Sequence, residues 1–247
     1  MKISFVIPAY NEEARLPRNL ASVLAEIERT GADAEVIVVD NASTDRTSEV
    51  ARAHDAGVLV IFEPKKGITR ARQAGLVASN GELIANIDAD TIVPQGWLER
   101  VLREFERDPE LAALSGPQVY YDLSAFHRAL ERIFYFFGYV SSLVSHKLFG
   151  GGAMLQGGNF IVRREYLERI GGFDTSIEFY GEDTDIGRRV GRIGKVKWTF
   201  ALPIYASGRR LAKEGVFRTG WRYATNFFST LASGKPATKD YTDIRSV

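Results

Sequence analysis

Apolar and polar positions alternate in blocks along the first half of the chain. Ile3-Ser4-Phe5-Val6-Ile7 is apolar almost throughout, which predicts a strand buried on both faces. From Asn11 to Arg29, Leu16, Leu20, Val23, Leu24 and Ile27 recur at helical spacing and predict an amphipathic helix. The same alternation repeats: strand over 35–40, helix over 43–54, strand over 58–62, helix over 67–79, strand over 82–87. Ser43 or Thr44 is suited to cap the second helix, with Asp45 in its first turn. Strands separated by such helices predict right-handed parallel crossovers, and so a doubly wound α/β sheet covered on both faces.

The second half is less regular. Helices are predicted over 94–107, 124–145 and 184–193, and strands over 112–120, 159–162 and 196–201. A last amphipathic helix is expected over 210–231. There is no internal repeat and no low-complexity linker, so one α/β unit with mixed strands in its second half is the simplest architecture.

Composition narrows the class. At 247 residues, 45% of them hydrophobic, the chain is long enough to bury a sizeable core. With 32 Lys+Arg against 31 Asp+Glu it has no global pull toward nucleic acid. Cysteine is absent, which excludes disulfide scaffolds, thiolate metal sites and cysteine nucleophiles, and suits a cytoplasmic location. The short apolar run before Pro8 is not a signal peptide, and no stretch reaches the roughly 20 apolar residues that span a bilayer. The charge is segregated: residues 201–247 carry a net +5 and residues 1–200 a net −4.

In an open parallel sheet, ligands bind beyond the carboxyl ends of the strands. Four successive predicted strand ends are polar: Pro8-Ala9-Tyr10-Asn11-Glu12-Glu13, Asp40-Asn41-Ala42-Ser43-Thr44-Asp45, Pro64-Lys65-Lys66-Gly67 with Arg70 and Arg72 beyond, and Asp88-Ala89-Asp90. Any one of these is explained by loop polarity and helix capping; the set points to a site. Asp88 and Asp90, two apart on an extended segment, point the same way and would repel unless a cation sits beside them. Such an oxygen-rich, open ligand set suits Mg²⁺ or Mn²⁺ holding a diphosphate, with Arg70 and Arg72 sharing the neutralisation. A second acidic cluster, Gly181-Glu182-Asp183-Thr184-Asp185, precedes a short helix. Capping explains at least Asp185, which is placed to pair with Arg188 or Arg189. A carboxylate there in a cleft would instead deprotonate an attacking hydroxyl.

V-I-P-A-Y-N-E-E, V-V-D-N-A-S-T-D-R-T, G-I-T-R-A-R-Q-A-G, I-D-A-D, G-G-N-F, G-G-F-D and G-E-D-T-D occur in this order over roughly residues 1–200. The combination resembles the family 2 inverting glycosyltransferases, which implies the GT-A fold: a Rossmann-like, mostly parallel sheet with helices on both faces and a mixed second half. The resemblance sets a transferase domain over 1–205, its nucleotide-binding half about 1–92 and its acceptor-binding half about 93–205, followed by a basic amphipathic helix and tail over 206–247. It implies that Pro8, Tyr10 and Glu12 line the nucleotide pocket, that Asp40 accepts a hydrogen bond from the base and that Arg72 lies near the diphosphate. Asp88, with Ala89 beside it, would contact the ribose or support the metal, and Asp90 would ligate the metal. Asp183 would be the general base, Glu182 would position the acceptor, and Gly158 and Asn159 would shape the floor near the sugar. Two departures stand out. Asn41 replaces a frequent second Asp, and the region 206–210 (Ala-Ser-Gly-Arg-Arg) lacks the histidine that often supplies a third metal ligand.

The implied partners are a nucleoside-diphosphate sugar, with uridine the commonest base by family habit, and a hydroxyl acceptor, lipid-linked or polysaccharide among the options. Arg209 and Arg210 are candidates for binding a phosphate of donor or acceptor. The aromatic run at 134–149 and the basic, aromatic C-terminal helix admit two readings. They pack on each other and form a self-association face, or the helix lies on a membrane surface, placing the protein peripherally on the inner face. Two further readings compete with a transferase: a non-catalytic sugar-nucleotide or carbohydrate-binding module, and a nucleotidyltransferase, which wants a glycine-rich phosphate loop that is missing after the first strand. A dinucleotide oxidoreductase is excluded by the lack of G-x-G-x-x-G there.

Overall fold

The computed structural model describes residues 1–124, 135, 136, 139 and 154–238, without the side chains of Val216 and Phe217. Its core is a seven-stranded sheet in the order β3-β2-β1-β4-β8-β6-β9. β1 (Ile3–Ala9), β2 (Ala34–Asp40), β3 (Val58–Phe62) and β4 (Leu83–Ile87) are parallel neighbours. β8 (Asn159–Arg163) runs antiparallel between β4 and β6 (Leu111–Ser115), and β9 (Lys195–Trp198) closes the edge parallel to β6. A small second sheet, β5-β10-β7, joins β5 (Thr91–Ile92), β10 (Ile204–Ala206) and β7 (Gln118–Tyr120).

The helices fall on both faces because the strands are apolar on both. Phe5 and Ile7 of β1 pack with α1 (Leu16–Thr30) and α4 (Trp97–Arg107); Val6 packs with α3 (Ile68–Ala78) and α6 (Glu182–Gly191) on the other side. α2 (Thr47–His54) and α5 (Arg164–Arg169) complete these layers. This GT-A arrangement is the α/β fold expected of the sequence.

Boundaries differ from the periodicity where hydrogen bonding overrides it. The first helix begins at Leu16 rather than Asn11, with Pro17 in its first turn, where the missing N–H costs nothing. The second begins at Thr47: Asp45 Oδ1, not Ser43 or Thr44, accepts the Thr47 N–H (2.9 Å). The strand expected over 112–120 splits between the two sheets at Gly116-Pro117, since proline has no N–H for a ladder. The last helix divides at Gly215 (φ 87°) into α7 (Arg209–Glu214) and α8 (Val216–Ser233). β5, β10 and α5 were too short to show a period. The helix expected over 124–145 lies almost wholly outside the described residues. Of its aromatics, Tyr139 stacks near Trp198 (5.5 Å between centroids).

α8 turns a polar face inward. Among its described side chains Thr219, Asn226 and Thr230 are buried, while Trp221 (78% exposed) and Phe228 (57%) stand outward on the opposite side. Arg222 ties the helix down by donating to the Tyr180 hydroxyl (3.2 Å).

Candidate active site

A cleft opens at the carboxyl ends of β1, β2 and β4. Pro8, Ala9 and Tyr10 follow β1, Asn41 follows β2, and Asp88 follows β4; Lys66, Gly67 and Ile68 bring in the start of α3, and Glu178, Phe179 and Arg210 close the opposite wall. Lys66 Nζ lies 4.0 Å from the centre of the Tyr10 ring and also donates to its hydroxyl, so the ring is held in place with a cation on one face. Sequence reasoning missed Glu178 and Phe179. They arrive through a contact far along the chain, in which Thr69 Oγ1 donates to Ile177 O (2.6 Å) and the Ile68 N–H to Glu178 O (3.3 Å).

Asn41, the departure from the commoner family pattern, shapes the third strand-end loop. Its Nδ2 donates to Glu63 O (3.1 Å) and Lys65 O (2.8 Å), and its Oδ1 accepts the Gly67 N–H (2.9 Å). An aspartate could accept the Gly67 N–H but would set a charge against two carbonyl oxygens. Asn41→Asp should therefore lower stability by about 1–3 kcal/mol, the range for buried polar groups left without partners. Urea unfolding checks this; an unchanged midpoint would count against the loop's dependence on the amide.

Behind the cleft, Arg72 is fully buried and binds two carboxylates. Nη1 donates to Glu182 Oε1 (2.8 Å) and Nη2 to Asp88 Oδ1 (3.1 Å), while the guanidinium carbon lies 5.1 Å from the centre of the Phe160 ring. Burial pulls the Arg72 pKa down, but the charges of Glu182 and Asp88 outweigh it and the net shift is upward. The Glu182 pKa also rises, which for a carboxyl favours the neutral form. Burial first, then the charge of Asp183, push its pKa up to about 8, against the opposing pull of Arg72. A carboxyl whose folded pKa lies above its unfolded value of 4.5 stabilises the fold at acid pH, and that contribution is lost as pH rises through about 8. The stability difference between wild type and Glu182→Gln should therefore shift in favour of the variant between pH 6 and pH 9. Thermal unfolding at both pH values checks it, and a constant difference would contradict it.

Asp88-Ala89-Asp90 is a turn rather than an extended segment, with the Thr91 N–H donating to Asp88 O (3.1 Å). Its two carboxylates are neutralised separately. Asp88 goes to Arg72, whereas Asp90 Oδ2 lies 3.0 Å from Arg209 Nη2. The same Nη2 also binds Glu12 Oε1, so two carboxylates meet on one nitrogen. Burial pulls the Arg209 pKa down; Asp90 and Glu12 more than compensate.

The acidic cluster sits at the start of α6. Asp183 Oδ2 accepts the Gly157 N–H (2.9 Å) and Oδ1 the Thr184 N–H (2.7 Å). Asp185 pairs with both Arg188 (3.1 Å) and Arg189 (2.6 Å), as the helical spacing suggested. Asp88, Glu182 and Asp183 converge on the loop 157–158. A Cβ on Gly158 (φ 74°) would come 2.2 Å from Asp88 Oδ2, so only glycine lets this carboxylate approach.

Pro8, Tyr10, Asp88 and Arg210 thus line the cleft, and Gly158 backs Asp88. The structure places other expected residues away from the cleft wall. Arg72 has no exposed surface. Glu12 is buried on Arg209 rather than in the cleft wall. Ala89 is packed in the core. Asp40 is buried and accepts the Ser43 N–H (3.0 Å). Asn159 is fully buried: its Oδ1 accepts from Trp97 Nε1 (3.1 Å) and its Nδ2 donates to the Gly116, Pro117 and Leu202 carbonyls, leaving nothing for a sugar.

Solved structures share this GT-A fold. The mannosyltransferase PcManGT from Pyrobaculum calidifontis, in complex with GDP-Man and Mn²⁺, superposes with a TM-score of 0.71 at 21% identity, over 95% of this chain and 65% of that one. Glucosyl-3-phosphoglycerate synthase from Mycobacterium tuberculosis, in complex with Mn²⁺, UDP-Glc and phosphoglyceric acid, gives 0.62 at 22% identity, over 96% and 81%. The sequence profile described as glycosyl transferase family 2 matches residues 4–171, and the chain belongs to that family. Among curated relatives, a probable glycosyltransferase of Bacillus subtilis, YdaM, is 28% identical over 207 residues, 78% of this chain and 47% of its own length. An uncharacterized glycosyltransferase of Mycobacterium bovis, Mb0553, is 37% identical over 109 residues, 44% and 46% of the two chains. The chain spans about half the length of these two relatives.

Proposed function

We propose that the protein is an inverting glycosyltransferase that moves a sugar from a nucleoside-diphosphate sugar to a hydroxyl acceptor with the help of Mn²⁺ or Mg²⁺. The carrying observation is the cleft at the strand ends, lined by Tyr10, Lys66, Asp88 and Arg210, with Glu182 and Asp183 meeting Asp88 at the glycine loop 157–158. In this reading Asp183 takes the proton of the acceptor hydroxyl. The oxygen forms a bond to the anomeric carbon from the side opposite the diphosphate. The bond from that carbon to the diphosphate oxygen breaks, its electron pair leaves with the nucleoside diphosphate, and the configuration inverts. Arg72 holds Asp88 and Glu182 in register for this step, and Arg210 is placed to meet negative charge in the cleft.

Among the described residues no group of three or more His, Cys, Asp or Glu could hold a metal ion. Glu12 and Asp90 nevertheless converge on a single nitrogen, so a pair of carboxylates is available to a cation whose remaining positions the substrate fills. They are the residues that would hold the metal, and it would supply charge neutralisation for the departing diphosphate. The donors named with the two solved neighbours, GDP-Man and UDP-Glc, support a nucleotide-sugar donor. The test is NMR of the products formed from an α-linked donor. A β-linked product with release of nucleoside diphosphate supports inversion, and an α-linked product overturns it.

The outward Trp221 and Phe228, flanked by the exposed cations Lys213, Arg218 and Lys235, fit an anionic lipid surface and favour an acceptor presented there. No helix among the described residues is long and apolar enough to cross a membrane. Flotation with vesicles containing anionic lipid should carry the protein, and Trp221→Ser with Phe228→Ser should leave it behind. Equal flotation of both would contradict the surface assignment.

A further inference from the structure

Arg209 occupies a singular position. Its sequence neighbourhood lacks the histidine seen elsewhere in the family, and its guanidinium reaches from α7 back to two carboxylates at the ends of β1 and β4, Glu12 and Asp90, separated from it by 197 and 119 positions. All three side chains are largely buried, at 16% exposure for Arg209 and Asp90 and 1% for Glu12. The residues before Arg209 are anchored: Ser207 Oγ donates to Asp122 Oδ2 (2.7 Å) and the Gly208 N–H to Asp122 Oδ1. The buried Arg209 Nε has no hydrogen-bond partner. A guanidinium with a buried donor still unused is equipped to take an anionic oxygen as well as the carboxylates it already holds.

We propose that Arg209 is a built-in counter-cation for Glu12 and Asp90, which a divalent ion must displace and which then turns to the diphosphate. Two like carboxylates brought together in a buried place need a positive charge, and here the chain supplies its own. A divalent cation entering between them competes with that charge. Once released, Arg209, next in the chain to the cleft-lining Arg210, pairs with phosphate oxygens bidentately, as a guanidinium does well. Metal and arginine are therefore antagonists in the empty protein and partners in the loaded one. The choice of Glu12 and Asp90 as cation ligands rests on the function proposed above.

The test titrates Mn²⁺ alone, with no nucleotide, and reads free Mn²⁺ by electron paramagnetic resonance. Arg209→Gln should bind Mn²⁺ about tenfold more tightly than wild type, equivalent to about 1.4 kcal/mol. Arg209→Lys, which keeps the charge on a narrower head, should fall between them. With Mn²⁺ saturating in both proteins, the Gln variant should bind nucleoside diphosphate more weakly than wild type. A purely structural role for Arg209 would weaken both ligands and would not improve either. Mn²⁺ affinity unchanged or reduced in both variants overturns the proposal. Because the metal arm uses no sugar nucleotide, it can fail while donor binding by wild type stands, and the two readings remain separable.

Discussion

Asp183→Asn is expected to slow sugar transfer by about 10²–10⁴-fold while leaving donor binding in place, the range that a positioned general base contributes. The substitution keeps the shape of the side chain beside Gly157 and Thr184, whose N–H groups the carboxylate now accepts. In the proposed mechanism it removes the group that takes the acceptor proton. Nucleoside-diphosphate release, with water as the acceptor if the native one is not in hand, measures the rate, and calorimetry measures donor affinity. A variant that turns over within about threefold of wild type would move the base role elsewhere in the cluster, because one general base is worth far more than that.

The second large effect is on stability. Arg72 is fully buried, and it binds both Glu182 and Asp88. Arg72→Met keeps much of the apolar stem against Phe160 but leaves two carboxyls, with Asp183 nearby, without their common cation. Breaking one side of a buried ion pair costs about 3–5 kcal/mol, and that is the expected loss in urea unfolding. Arg72→Lys should recover only part, since an ammonium cannot present the two donors of a planar fork to two carboxylates at once. Transfer should fall as well, because Asp88 and Glu182 lose the contact that orients them. A loss below about 1 kcal/mol, the size of an exposed pair, would show that the carboxyls neutralise by taking up protons at little expense.

What the sequence disclosed and what it hid divide along the range of the interactions. The buried strands and the polar loops that follow them are local signals, read from five to eight residues at a time, and they brought Pro8, Tyr10 and Asp88 to the cleft. The pairing of Asp185 with Arg188 and Arg189 was legible for the same reason, since helical spacing alone brings them together. Arg72 and Glu182 lie 110 positions apart, and Arg209 and Glu12 lie 197 apart, so no local pattern joins them. Arginine is ordinarily an exposed residue, which makes the complete burial of Arg72 invisible to composition or periodicity. Asn159 carried a motif signal, but a motif does not say whether an amide faces a ligand or four groups of its own chain. For the last helix the amphipathic pattern was visible, yet it left open whether the aromatic side packs inward or faces out. The inner face is held by Thr219, Asn226 and Thr230, and the aromatic side was left outward.

The central claim is that the cleft binds a nucleoside-diphosphate sugar together with a divalent ion. Thermal unfolding of the wild-type protein with a panel of UDP-, GDP- and dTDP-sugars, each with Mn²⁺, with Mg²⁺ and with EDTA, tests it most directly. A ligand that binds only the folded state at 100 times its Kd adds about 2.7 kcal/mol of stability. The account predicts a clear rise in Tm for the sugars of one nucleotide, larger with metal than with EDTA and lost in Asp90→Ala. No rise with any sugar nucleotide under any metal condition would contradict it.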